Sequence, residues 1–346
     1  MRWILLILVL SGCGKPIKDF KENSYEMNAL HQGVSEEILF DVKMSANFNY
    51  LPLEGKISDE KEFWSGDSWR LRKGAINFRW NSPEASGFNL RSPSMREAYT
   101  YPSELMLRLS PAEKYDLYMG RYDYPLKREV DYLARSATED WEGICHGWAG
   151  ATINHPEPEP KVAINPDGVE IPFGSSDIKA LLSYAYARVL IREEDVLGKR
   201  CEESSFIEDD KCDNDLSALS FHVVLTNKIG LRGQTIIADI DRYKEVWNHP
   251  IVSFKSTVEK MKNAGDFRKA TIKTKFTYVD VSEKNSWEKH PAIYSHMTVK
   301  YELIMDRAGN IQSGKWLSKE RPDFLWTVRR ALQFDDYLNG IFTLLK

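Results

Sequence analysis

The sequence predicts an α+β fold, a helical core packed with an antiparallel sheet, in one domain over 36–346. Helix signals crowd the middle of the chain, and strand-like runs fill its C-terminal third. The last of these runs are joined by a turn rather than by a crossover helix. No internal repeat of roughly 20–50 residues and no low-complexity linker divides the chain.

Residues 36–100 form a strand- and loop-rich N-terminal part, dense in aromatic and turn residues ("FNYLPLEGKI", "SWRLRKGAINFRWNS"). "LSPAEKYDLYMG" then starts a helix: Ser110 at the N-cap, Pro111 in the first helical position, Glu113 closing a capping box and Gly120 stopping it. "LKREVDYLARSA" (126–137) has helical spacing at Leu126, Val130 and Leu133. A helix over 144–153 ends at "HPEPEP", whose alternating prolines force extended backbone. "SSDIKALLSYAYARVL" gives another, capped by Ser176 with Asp177 near its positive end. "LSFHVVLTNKIG" carries two signals. Leu219, Phe221, Val223 and Leu225 alternate like a strand, but "NKIG" reads as a helix end with Gly230 as its cap, and helix is favoured. Strands follow at "QTIIAD" (234–239), "KATIKTKFTYVDV" (269–281) and "HMTVKYELIMDRAGNIQSGKW" (296–316), the last folding back at "DRAGN".

The chain has 346 residues, 42% of them hydrophobic, and its 47 Lys and Arg nearly balance 51 Asp and Glu. No basic field marks a nucleic-acid partner. The N-terminus is more telling. "MRWILLILVLSGCGK" has one Arg and an apolar run from Trp3 to Leu10, too short to span a membrane and suited to a signal peptide. "LSGC" resembles a bacterial lipobox. Residues 1–12 would then be removed, and Cys13 would be lipidated at the head of a polar tether reaching residue 35. Gly14 after the cysteine resembles an outer-membrane sorting signal, so the expectation is an exported lipoprotein of a Gram-negative cell.

Export places the remaining cysteines in an oxidising compartment. Cys201 and Cys212 lie in the polar stretch "KRCEESSFIEDDKCDND" and make the natural disulfide, leaving Cys145 single. Cys145 opens its helix, where backbone N–H groups favour a thiolate and can hold an oxyanion. The competing reading is a buried structural cysteine. His146 is a poor base for it, because consecutive helix residues diverge by about 100°. His155 could curl back. His31 lies in the tether, and His249, His290 and His296 carry no local support. His222, in a strongly apolar segment, is followed by Asp239, with Asp241 an alternative acid on the same strand face. A thiol nucleophile, a base and an acid that fixes the base's tautomer need this set of groups. The bland alternative for His222 is a core histidine satisfied locally.

"GICHGWAGA…PEPEP", "DIKALLSYAY", "FHVVLTNKIG", "ADIDRYKEVWNHPIVSFK" and "DRAGNIQSGKW…RPDFLW" occur here in an order that resembles the transglutaminase elicitor family of oomycetes and its bacterial relatives. The family's elicitor peptide has the pattern V-W-N-Q-P-V-R-G-F-K, against Val246–Lys255 here, and the resemblance covers about residues 105–327 within a core of 101–330. It implies a cysteine-protease- or transglutaminase-like site with Cys145 as nucleophile, His222 as base and Asp239 as orienting acid. It also implies a protein or peptide glutamine donor and a primary-amine acceptor, giving isopeptide cross-linking or deamidation. His249 replaces the Gln of the peptide and Val252-Ser253 replace its Arg-Gly, so no plant-recognition activity is carried over. Trp247 and Pro250 read as an aromatic anchor and a rigid turn. No cofactor is required. The acidic run "FIEDDKCDNDLS" could attract Ca²⁺ but lacks the ligand spacing and glycine of an EF-hand. The alternatives are a cysteine amidase or peptidase acting on cell-wall peptides or proteins, and a non-catalytic surface lipoprotein.

Overall fold

The capping signals at 110–120 fold as the sequence predicts. Ser110 Oγ accepts from Glu113 N at 3.2 Å, and Glu113 Oε2 accepts from Ser110 N at 2.9 Å. Gly120 then turns the chain at φ +67, which glycine adopts without steric penalty. The structure, a computed structural model, describes residues 36–39, 42–82, 90–188, 195–200, 216–328 and 337–346. The signal peptide, Cys13, the tether and the Cys201–Cys212 pair lie outside them.

The helices are α1 (Met95–Ala98), α2 (Ser103–Leu107), α3 (Pro111–Tyr118), α4 (Pro125–Arg135), α5 (Cys145–Asn154), α6 (Ser175–Ala187), α7 (Ala218–Leu225) and α8 (Ile341–Leu344). The strands are β1 (Glu36–Leu39), β2 (Val42–Ser45), β3 (Glu54–Lys56), β4 (Lys161–Ile164), β5 (Glu170–Phe173), β6 (Val196–Gly198), β7 (Ile236–Asp239), β8 (Asn248–Ala264), β9 (Phe267–Val279), β10 (Tyr294–Asp306), β11 (Ile311–Trp316) and β12 (Phe324–Trp326). The main sheet has the order β11-β10-β9-β8-β7-β12-β6, with β3 also paired to β8. Every pairing among the described strands is antiparallel, as the sequence predicts.

Along β9 and β10 the residues that alternate inward, Ile272, Thr274 and Phe276 with Val299, Tyr301 and Leu303, are buried. Helix α7 lies on this face, where Phe221 meets the rings of Phe276, Tyr301 and Trp316. A Cβ on Gly314 would stand 2.7 Å from Leu219 N, so that glycine lets β11 and α7 touch through their backbones. Helices α5 and α6 pack as closely: a Cβ on Gly147 would collide with the Ser183 carbonyl oxygen. The two glycines of "CHGWAGA" let the helices meet, Gly147 against Ser183 and Ala187 and Gly150 against Tyr186.

Three local expectations are corrected. Helix α6 starts at Ser175 with Gly174, not Ser176, at its cap, because the Asp177 carboxylate reaches back to Gly174 N at 2.8 Å. The 218–231 segment is helical, but it does not end at Gly230. It runs on as a π-helical turn over Thr226–Leu231, with Gly230 pressed on Pro52, and Gly233 takes the positive φ. Pro250 is no turn. It lies in β8 opposite Ile237, one residue before pairing with β9 begins at Ile251, so its missing N–H falls where that ladder has not started.

Candidate active site

Cys145 is the first residue of α5 and is buried. Its approach is fixed through the backbone: Ile144 N donates to the Ser68 carbonyl at 2.8 Å, and a Cβ on Gly143 would stand 2.5 Å from that same oxygen. Further along the helix, Trp148 Nε1 and Thr152 Oγ1 both donate to the Trp64 carbonyl, at 3.3 and 3.0 Å. Segment 64–68 thus straps α5 in place.

The sulfur sits among Trp141, Val246, Trp247 and Phe324. Sγ lies 3.6 Å from the Val246 carbonyl oxygen, and Asn248 Nδ2 donates to it at 3.6 Å. The other end of the Asn248 amide is held too, since Trp326 Nε1 donates to Oδ1 at 2.6 Å. Cys145 is not the single cysteine that the sequence suggests. It is disulfide-bonded, and its partner is one of Cys13, Cys201 and Cys212, all outside the described residues. Spacing could not have decided this, because several connectivities are open to any such set. A lipidated Cys13 has its sulfur in a thioether. A lipid anchor and a Cys201–Cys212 bridge therefore cannot both coexist with a disulfide at Cys145.

Asp239 is at this corner. It pairs across from Asn248, and its Oδ1 accepts from Trp247 N at 2.8 Å and Asp241 N at 3.2 Å. Burial pushes its carboxyl well above the usual carboxylate range, and Oδ2 has no partner among the described residues. Asp239 therefore shapes the 246–248 segment that covers the sulfur; it holds no histidine. Asp241 accepts from Tyr243 N at 2.7 Å in the same turn.

His222 is not brought to Cys145. It is buried on α7, stacked on Phe48 at 5.7 Å, with Nδ1 2.8 Å from Tyr301 Oη. That hydroxyl continues a chain through Thr274 Oγ1 (2.9 Å) to Ser256 Oγ (2.8 Å). Ser256 lies eight residues along β8 from Asn248, a run of about 26 Å at the ordinary strand rise. The core-histidine alternative describes the Nδ1 of His222 but not the whole ring, because the buried Nε2 has no partner among the described residues. Burial lowers its pKa to about 3. His146 points away from Cys145 towards α6, with Nε2 3.4 Å from the Ala187 carbonyl. His155 meets Tyr186 Oη at 2.9 Å.

The histidine that does face the cysteine's helix is His249, which local signals had passed over. Its ring packs edge-on against Trp148 of α5 at 5.7 Å, beside the Asn248 that touches the sulfur. Its Nδ1 donates to the Val279 carbonyl at 2.8 Å and lies 3.7 Å from Asp280 Oδ1. A carbonyl only accepts, so Nδ1 carries the proton and Nε2 keeps its lone pair. Burial pushes the ring's pKa down, against smaller upward pulls from Val279 and Asp280. The usable signal was the run "WNHP" itself, a histidine next to an asparagine at the mouth of a long strand. No group of three His, Cys, Asp or Glu suited to a metal occurs among the described residues, and residues 206–215 of the acidic run lie outside them.

A family model described as transglutaminase elicitor matches residues 127–334. The fold is similar to the crystal structure of the GP42 transglutaminase from Phytophthora sojae, with a TM-score of 0.61 and 20% identity, covering 88% of this chain and 94% of that one. At that identity the likeness speaks for the fold alone. No curated protein matches the chain.

Proposed function

The chain belongs to the transglutaminase elicitor family, and on that premise we propose that it is a thiol acyltransferase acting on glutamine side chains, with Cys145 as nucleophile. The observation that carries this reading is the corner itself. A cysteine opens α5 inside the family-matched segment, under a strand mouth whose Asn248 reaches the sulfur and whose His249 packs on Trp148 of the same helix. The disulfide makes this a resting state. A dithiol reductant attacks the disulfide, closes its own disulfide, and releases two thiols, one of them Cys145.

The base in this reading is His249 rather than His222. Nε2 of His249 takes the thiol proton, and the thiolate attacks the γ-carboxamide carbon of a glutamine. The imidazolium returns that proton to the departing nitrogen, ammonia leaves, and a thioester remains. A primary amine then attacks to give an isopeptide bond, or water attacks to give glutamate. A cysteine amidase or peptidase would differ only in the bond attacked and in using water. One observation favours a non-catalytic alternative: Cys145 is buried and disulfide-bonded, as a structural cystine would be.

The test incubates the full chain in detergent with a glutamine peptide, with and without a primary amine and dithiothreitol, followed by mass spectrometry. Reduction-dependent amine incorporation or deamidation that disappears in Cys145→Ala is the expected outcome. Incorporation persisting in Cys145→Ala would rule this reading out. Inertness of the fully reduced, folded chain would favour the non-catalytic one. We also propose, from the lipobox, that Cys13 anchors the chain to the outer membrane of a Gram-negative cell; fatty-acid labelling that survives Cys13→Ala would contradict it.

A further inference from the structure

We propose that Asn248 is the oxyanion donor for acyl chemistry at Cys145, with the Trp326 indole as the residue that positions it. The inference rests on the reading of Cys145 as a nucleophile and adds a residue to its chemistry. The Asn248 side chain reaches the sulfur, with Nδ2 3.6 Å from Sγ, and it is itself only 3% exposed. Its orientation is not optional. An indole N–H can only donate, so the 2.6 Å contact from Trp326 Nε1 must meet the amide oxygen. A flipped amide would set N–H against N–H. Trp326 thereby locks the NH₂ end onto the sulfur side.

A divalent sulfur is a weak acceptor, and an NH₂ aimed at it gains little from the contact. The same donor becomes valuable once a carbonyl has been attacked. As the C–S bond forms, the π pair moves onto the carbonyl oxygen, beside the sulfur. A fixed donor about 2.7–3.1 Å from that oxygen stabilises it, and more strongly in a buried site than in water. The first-turn N–H groups of α5 supply the complementary side, since helix geometry leaves them without intrahelical acceptors. Collapse returns the electron pair to the carbonyl and expels the leaving group. The donor is charged with no proton transfer, which remains with the histidine.

β7, β8 and β12 assemble this arrangement. Asn248 starts β8 and pairs with Asp239 of β7, while Trp326 ends β12, which pairs with β7 on its other side. Asp239 accepts from Trp247 N, holding the backbone one residue before Asn248. That gives the buried carboxyl picked out in the sequence a positioning part.

The test separates reactions that pass through an oxyanion from one that does not. In reduced protein, iodoacetamide alkylates Cys145 by direct displacement, whereas p-nitrophenyl acetate acylates it through a tetrahedral oxyanion. Asn248→Ala is expected to slow acylation and glutamine-dependent amine incorporation by about 10²–10³-fold, while alkylation keeps the wild-type rate. Trp326→Phe removes the lock but not the donor, and is expected to cause a smaller loss in acylation alone. Should Asn248→Ala fail to fold, Asn248→Asp, which keeps the shape and the Trp326 contact but has no NH₂, gives the same readout. Full acylation in these Asn248 variants, or alkylation lost in step with acylation, overturns the proposal. A wild type that ignores glutamine but is acylated in an Asn248-dependent way sinks the transglutaminase reading and leaves this one standing. Reduced Cys145 inert to both reagents overturns both.

Discussion

His249 and His222 are both buried, and burial lowers the pKa of both, yet their surroundings differ. His249 has its Nδ1 proton tied to a backbone carbonyl and its ring against the helix that carries Cys145. His222 has its Nδ1 at the head of a hydroxyl chain, Tyr301 to Thr274 to Ser256, inside the face between α7 and the sheet. One ring is oriented by a group that fixes its tautomer. The other is part of the packing. A lowered pKa and deep burial are common to both rings; the neighbours they pack against separate them.

The largest expected effect is at His249. His249→Gln in reduced protein should lower kcat/KM for amine incorporation by about 10²–10⁴-fold, the usual worth of a general base. Its stability should fall by no more than about 0.5–1.5 kcal/mol for the lost Val279 bond. His222→Leu should do the reverse. It should cost about 1–3 kcal/mol in urea unfolding by stranding buried partners, while the folded fraction keeps its specific activity. If His222→Leu removes activity as fully as His249→Gln, the comparison between the two rings fails.

Acid sharpens the contrast. Burial lowers His222 from 6.5 to about 3 and His146 from 6.5 to about 4. Below pH 6.5 the unfolded chain takes up protons that the folded chain refuses. Their contribution is therefore complete above pH 6.5 and is lost as pH falls from there towards 3–4. Each such histidine adds a slope of about 1.4 kcal/mol per pH unit in that window. Urea titrations across it should show His222→Leu flattened by about one histidine's worth; an unchanged slope would mean that His222 titrates freely. The smallest effect is at Asp280. Its carboxylate, partly exposed and 3.7 Å from His249 Nδ1, favours the protonated ring. Asp280→Asn should shift the acid limb of the kcat/KM profile to lower pH, with an energetic change of about 0.2–1 kcal/mol. A shift to higher pH would show that Asp280 does not act on His249.

Where a signal was local, the sequence carried it. The Ser110–Glu113 capping box, the cysteine at the mouth of α5 and the "DRAGN" turn each involve residues within a few positions of one another. The site was legible only in part because its assembly is non-local. Nothing near Asn248 shows that a tryptophan from β12 will hold its amide, or that β8 will begin against α5. The apolar segment around His222 does fold as a helix, but the same apolarity belongs to core packing. "WNHP" misled through its proline, which in isolation says turn and in the sheet falls just where one ladder begins. The disulfide at Cys145 was beyond reach, since four cysteines in a chain do not declare their partners.

Gly143 and Gly147 bracket Cys145, and each has a main-chain oxygen where its side chain would be, from Ser68 and Ser183 respectively. The sulfur is thus located as a machined part is, from two hard stops rather than from the soft fit of surrounding groups. Side chains around the sulfur, such as Trp141, Val246 and Phe324, can be exchanged without moving it. One methyl at either stop would displace it, so the surroundings of the sulfur are free to drift while its position is not.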